Sequence, residues 1–230
     1  MHLIERYATA CGVKIDKPYI YDTFFPVNVE KYISFQPFSK YQSKNYDYWD
    51  EVVSIISPYL QKNNITLVHI GAKEDKTVNN TLNLCSQTNI SQAAYIIKNS
   101  IMHVGADSFA AHIASGYGKK IVALYSNNNV NNVKPYWTKP EDMVLLSPKI
   151  NKKPQYSVNE SPKSINNIKP EAIAEGILKL LNIPYNNLPK TVYIGNEYIN
   201  KTLEIIPVSY THLRAHETRG NLVCRLLLEK

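Results

Sequence analysis

Four short apolar runs punctuate the chain: Tyr32–Phe35, Ile65–Ile70, Ile101–Val104 and Ile121–Tyr125. Each is continuous rather than alternating, as expected of parallel strands covered on both faces. Met143–Leu146 reads as a fifth. Helical patterns lie between them. Trp49, Val52, Val53, Ile56 and Leu60 share one helical face, with Pro58 expected to kink or shorten its end. Ser91 is placed to cap a helix carrying Ala93, Ala94, Ile96 and Ile97. Asp107 is placed to cap another that buries Ala110, Ile113, Ala114 and Tyr117 and stops at Gly116 or Gly118. Pro170 suits the first turn of a helix with Ile173, Ile177, Leu180 and Leu181 inward. Strands alternating with helices predict right-handed crossovers and an α/β fold, a doubly wound parallel sheet.

The remaining segments are polar or irregular. Residues 1–30 hold a short helix, Leu3 to Ala10, and a linker rich in Pro and Tyr. Residues 127–132 form a polar loop, and residues 147–168 read as a surface crossing segment. Thr191–Gly195 and Thr202–Ile206 suggest two strands of a further unit. The predicted divisions are 1–30, 31–185, 186–207 and 208–230.

The chain has 230 residues, 26 basic against 19 acidic, for a net charge of +7. The basic residues are scattered, with no aromatic and arginine cluster for stacking bases, so specific nucleic-acid binding is not expected. No run of about 18 apolar residues is present to span a membrane. Cys11, Cys85 and Cys224 are widely spaced and odd in number. That argues against a disulfide framework or a cysteine-based zinc site and suits a reducing cytosol.

Three of the four arginines, Arg214, Arg219 and Arg225, fall in the last 17 residues. Val208–Gly220 breaks the Lys-, Asn-, Ile- and Tyr-rich habit of the body and reads as translated sequencing adapter. The alternative is a basic C-terminal helix carrying Leu222 and Leu226. Setting aside 208–230, with four basic and two acidic residues, lowers the net charge to +5. His212, His216 and Cys224 then carry no functional weight.

Three polar groups follow predicted strands, where open parallel sheets bind ligands. Pro37–Lys44 carries Ser39 and Lys44, a hydroxyl and an ammonium able to grip phosphate. Gly71–Asp75 places the Asp75 carboxylate to accept from a ribose hydroxyl or base amine. Val104–His112 runs from a strand into a helix whose start holds Asp107 and Ser108, with His112 one turn on. Free N–H groups at such a helix start favour an anion. Each group is also compatible with an ordinary solvated turn or a helix cap. His69 and His103 read as core or strand-end residues. No nucleophile elbow, phosphate-binding P-loop, dinucleotide fingerprint or convincing metal-ligand spacing is present.

In order and spacing these segments resemble glycosyltransferase family 9, the heptosyltransferase-like enzymes of bacterial surface polysaccharides, over about residues 31–182. The strongest match is Gly105–Ser108 through His112 with Ala114 and Gly118–Tyr125. Ser39 with Lys44, Gly71-Ala72 with Asp75, and Ile90–Ala94 support it. The resemblance implies a Rossmann-like, C-terminal donor-binding half of a GT-B enzyme at 31–185. Residues 1–30 would be the end of the N-terminal half plus the interdomain linker, and 186–207 the start of a following unit.

The resemblance also implies a nucleotide-diphosphate sugar as donor, a glycan or lipid-linked acceptor and inverting transfer with no cofactor and no obligatory metal. Ser39, Lys44 and Ser108 would meet the diphosphate, Asp75 the nucleoside and Asp107 the sugar, with His112 supporting that corner. No catalytic residue is expected in this chain. The general base would come from the other half, so the chain alone would be inactive in transfer. The protein would be cytoplasmic and peripheral at the inner membrane. Phe109 departs from the family pattern, which has glycine there. That keeps open a non-catalytic nucleotide-sugar binding or interaction module; a nucleotide-sugar epimerase of similar fold is the alternative among enzymes.

Overall fold

The computed structural model describes residues 1–148 and 155–193, together with the strands Lys201–Ile205, Leu213–Glu217 and Arg225–Leu228. In chain order the elements are α1 (Leu3–Cys11), β1 (Tyr32–Gln36), α2 (Trp49–Lys62), β2 (Thr66–His69), β3 (Leu82–Asn83), α3 (Ile90–Asn99), β4 (Met102–Ala106), α4 (Phe109–Gly116), β5 (Lys120–Leu124), α5 (Val130–Val133), β6 (Met143–Leu146), α6 (Pro170–Leu180) and β7 (Lys190–Tyr193). The three further strands are β8, β9 and β10. All five strands read from apolar runs form. The two-residue β3 has no apolar run to announce it.

The sheet has the order β3-β2-β1-β4-β5-β6, and every pairing is parallel. The fold is therefore α/β and Rossmann-like, as expected. The chain first steps outward from β1 to β2 and β3, then returns to β4 on the other side of β1. This reversal opens a crevice beyond the carboxyl ends of β1 and β4.

Both faces are covered. Ile33, Phe35, Met102, Val104, Val122 and Leu124 pack under α2 and α6, whose Trp49, Val52, Val53, Ile56, Ile173 and Ile177 are buried. Val68, Ile70, Ile121, Ala123 and Tyr125 face α3 and α4 through Ile96, Ile97, Ala110 and Ala114. Each large aliphatic side chain removed from water contributes about 1.5–3 kcal/mol. Two opposed apolar layers thus explain why the strands read as unbroken runs.

Several local expectations need correction. Asn89, not Ser91, caps α3, because its side chain accepts from Gln92 N while the Gln92 side chain accepts from Asn89 N. Pro58 does not shorten α2, which continues to Lys62. Asp107 does not cap α4: Ser108 takes the cap position with no side-chain capping bond, and the Asp107 carboxylate is engaged elsewhere. Gly116 ends that helix, and Gly118 turns the chain left-handed at φ 67°. Within 208–230 the described elements are strands, not a helix: β9 pairs antiparallel with β8, and β10 with β7.

Candidate functional site

Beneath the crevice the β1 and β4 backbones come into close contact. Gln36 of β1 and Gly105 of β4 are register partners. A Cβ on Gly105 would lie 2.2 Å from the Gln36 carbonyl oxygen, so only glycine fits. Above this point the loop after β1 carries Ser39 and Lys44, and the turn after β4 carries Asp107 and Ser108.

The Lys44 ammonium crosses the crevice. It donates to Asp107 Oδ2 at 2.7 Å and to the Asp107 carbonyl at 3.0 Å. The loop that delivers it is braced by Asn45, whose side chain accepts from Ser39 N at 2.8 Å and donates to Ser39 O at 3.1 Å. The Gln42–Lys44 turn is tied down by Ser43, which donates to the Ser157 carbonyl at 2.7 Å. Asp107 is buried and also accepts from Asn128 Nδ2 at 2.8 Å. Asp107 Oδ1 has no hydrogen-bond partner among the described residues, and an ammonium has a third donor to give.

Asp107 and Ser108 face different cavities. Lys44, Asp107, His112 and Asn128 line one of about 400 Å³, together with His2, Leu3, Ile4 and Tyr7 of the α1 segment. Helix α1 is fastened there by His2 Nε2, 2.8 Å from the Lys134 carbonyl, and by the tilted contact of the His2 and Tyr136 rings. The other cavity, about 360 Å³, is lined by Gln36, Ser39, Asp75, Ser108 and Phe109 among others. The six residues singled out in the sequence therefore divide between two adjoining cavities. Ser39 stands with Asp75 and Ser108, away from the Lys44 corner. Its hydroxyl bonds within its own turn, to Tyr41.

Ser108 donates to the Gln36 side chain across the β1–β4 gap, so its hydroxyl is spoken for. No side chain caps α4, and its first turn opens toward the crevice. His112 shares the Lys44–Asp107 cavity without a hydrogen bond to Asp107. Burial lowers its pKa, opposed by the nearby Asp107 carboxylate. Burial raises the pKa of Asp75, opposed by the Ala72 N–H that its Oδ2 accepts at 2.9 Å. Phe109 is 45% exposed and lines the Asp75 cavity rather than filling the corner beside Lys44.

Sequence reasoning missed Gln36, Asn45, Asn128 and His2. Asn128 sat in a run of asparagines that read as filler, and Gln36 ended an apolar strand. It also missed a grouping. The ligand atoms of His69, Asp75 and Cys85 lie within 4.8 Å of one another, although their spacing in the chain follows no metal-binding pattern. His69 and His103 are buried as expected.

A doubly wound parallel sheet with a cation, a carboxylate and an uncapped helix start at its topological switch point defines a Rossmann-like domain. The family model for glycosyltransferase family 9 (heptosyltransferase) matches residues 9–165, and the chain belongs to that family. No curated protein matches it by sequence. Among solved structures it resembles a family 9 glycosyltransferase from Veillonella parvula (16% identity, TM-score 0.52), covering 78% of this chain and 50% of that one. It also resembles E. coli ADP-heptose LPS heptosyltransferase II (16%, 0.52), covering 77% and 50%. A third is the dodecameric iron-containing heptosyltransferase TibC in complex with ADP-D-beta-D-heptose (15%, 0.58), covering 74% and 51%. The chain spans about half the length of these relatives.

Proposed function

We propose that this domain is the C-terminal, donor-binding half of a GT-B glycosyltransferase and binds a nucleotide-diphosphate sugar. The whole enzyme would pass the sugar to a surface-polysaccharide or other glycan acceptor. The observation that carries this reading is the Lys44–Asp107 pair spanning the switch-point crevice beside the uncapped start of α4. A diphosphate entering there would meet the free donor of Lys44 and the first-turn N–H groups of α4. Both favour the charge that builds on a departing nucleotide diphosphate. Asp107 would turn its unpaired oxygen to a sugar hydroxyl, with Asn128 and Lys44 holding the carboxylate. His112 would line the same corner.

In the second cavity Asp75 would accept from the nucleoside and Phe109 would offer a ring face to the base. Ser39 and Ser108 would line the path between the two sites rather than bind the diphosphate strongly. The transfer is proposed to be inverting and independent of metal, with the general base supplied by the other half of the enzyme. The chain alone is then inactive in transfer. The enzyme would work in the cytoplasm, at the inner-membrane surface where lipid-linked acceptors lie. No helix of the described residues is long and apolar enough to cross a membrane.

Calorimetric titration of the chain with ADP, UDP and GDP tests the reading. Binding of one of them that disappears in both Lys44→Ala and Asp107→Ala is expected. Binding that survives both places the anion elsewhere. No binding at all favours the interaction module, which the half-exposed Phe109 ring would suit. Turnover of a free nucleotide sugar to its epimer would displace the proposal.

A further inference from the structure

Strand β2 ends in an arrangement of which the proposed donor binding uses only Asp75. His69 is its last residue and has no exposed surface. Neither ring nitrogen has a hydrogen-bond partner among the described residues. A buried imidazole with nothing to bond is costly and calls for an explanation. The Asp75 carboxylate and the Cys85 sulfur both come within 4.8 Å of its ligand atom. Phe35 and Phe38 stand 5.5 and 6.1 Å from the ring, so no polar side chain competes from that side.

The two loops that bring the other groups are tied to the strand and to each other. Leu84 N donates to the His69 carbonyl at 2.8 Å, and Ser86 N donates to the Gly71 carbonyl at 3.0 Å. A Cβ on Gly71 would fall 2.1 Å from Asp75 Oδ2 and 3.3 Å from Cys85 Sγ. Glycine at 71 is thus what allows the carboxylate and the thiol to fold back over the strand end.

We propose that His69, Asp75 and Cys85 form a binding site for a divalent transition-metal ion of the zinc type, with its fourth position toward the Asp75 cavity. One imidazole, one carboxylate and one thiolate make a mixed N/O/S set, which suits Zn²⁺ and disfavours Mg²⁺ or Ca²⁺. Metal–ligand bonds of about 2.0–2.3 Å in a tetrahedron place ligand atoms about 3.3–3.8 Å apart. The observed spacing needs only a small inward movement of the Asp75 and Cys85 loops. Coordination forms the sulfur–metal bond and releases the Cys85 proton to solvent, while a His69 nitrogen gains the partner it lacks. The ion would pin the loops after β2 and β3 together and shape the nucleoside end of the crevice. It takes no part in the transfer chemistry, and the site stands whether or not the donor reading holds.

The test uses the full metal-free chain carrying Cys11→Ser and Cys224→Ser, so that Cys85 is the sole thiol. It is titrated with Co²⁺ alone and then with Zn²⁺. One equivalent of cobalt should bind with a thiolate charge-transfer band and the intense visible bands of four-coordination, and zinc should displace it. Adding Cys85→Ser should abolish the charge-transfer band. Asp75→Asn, with its fold verified by circular dichroism, should keep the band and weaken binding by more than about tenfold. Saturation without a thiolate band, or affinity unchanged by Cys85→Ser, overturns the proposal. Nucleotide binding is measured apart: Lys44→Ala removes it and leaves the cobalt spectrum intact, so the two readings fail separately.

Discussion

Gly105 lies against Gln36 so closely that a single added methyl would come 2.2 Å from the Gln36 carbonyl oxygen. The neighbouring atom is backbone in a central strand and cannot swing aside. Gly105→Ala should therefore spread β1 from β4 and cost roughly 1–3 kcal/mol by strain. A fall in the urea midpoint at unchanged slope is the expected readout, together with weaker nucleotide binding. An alanine variant as stable as the parent would refute the close-packing argument.

The Lys44 and Asp107 side chains expose only 18% and 6% of their surface. Removing either partner leaves a desolvated charge without its main counterpart, a loss of roughly 1–3 kcal/mol. The double variant Lys44→Ala/Asp107→Ala should be less destabilised than the two singles added together. A double-mutant cycle by chemical denaturation measures this, and strict additivity would mean that the pair is not coupled.

Phe109 carries its ring at the rim of the Asp75 cavity, 45% exposed. Its truncation should leave stability nearly unchanged. If the ring meets a nucleobase, Phe109→Ala should weaken a nucleoside diphosphate by about 0.5–1.5 kcal/mol and leave inorganic pyrophosphate unaffected. Equal losses for both ligands would argue that the ring acts on the diphosphate site instead. A gain in affinity would mean that it obstructs the cavity.

His103 is fully buried between β1 and β5, its Nδ1 3.0 Å from the Ser34 hydroxyl. Burial pushes its pKa down to about 3, opposed by the backbone of Ser34. The unfolded chain takes up a proton near pH 6.5 while the folded chain does not. Stability is thus fully present above that pH and is lost as pH falls from about 6.5 toward 3, by on the order of a few kcal/mol. His103→Gln should flatten the melting-temperature profile across this window. An unchanged slope would show that His103 does not contribute to acid unfolding.

The α/β architecture was legible because burial on both faces forces strands to be continuously apolar, and because α2 and α6 must bury one stripe each. The β3 edge was not, since Leu82 and Asn83 pair through backbone alone and need no apolar run. The cap of α3 was misplaced by two residues because serine and asparagine cap equally well. Only the reciprocal bond between Asn89 and Gln92 chose between them.

The candidate site divides in the same way. Local chemistry in the chain determined that Lys44, Asp75, Asp107 and Ser108 follow strands, and hence that they gather at one end of the sheet. Strand order, together with the direction each side chain takes, decided which of them meet. With β1 beside β4, Lys44 reaches Asp107. With β2 one place farther out, Asp75 joins the other cavity. The convergence of His69, Asp75 and Cys85 belongs wholly to the tertiary structure. Contacts between residues far apart in sequence depend on register and on which small residue lets backbones touch, and neither leaves a periodic trace along the chain.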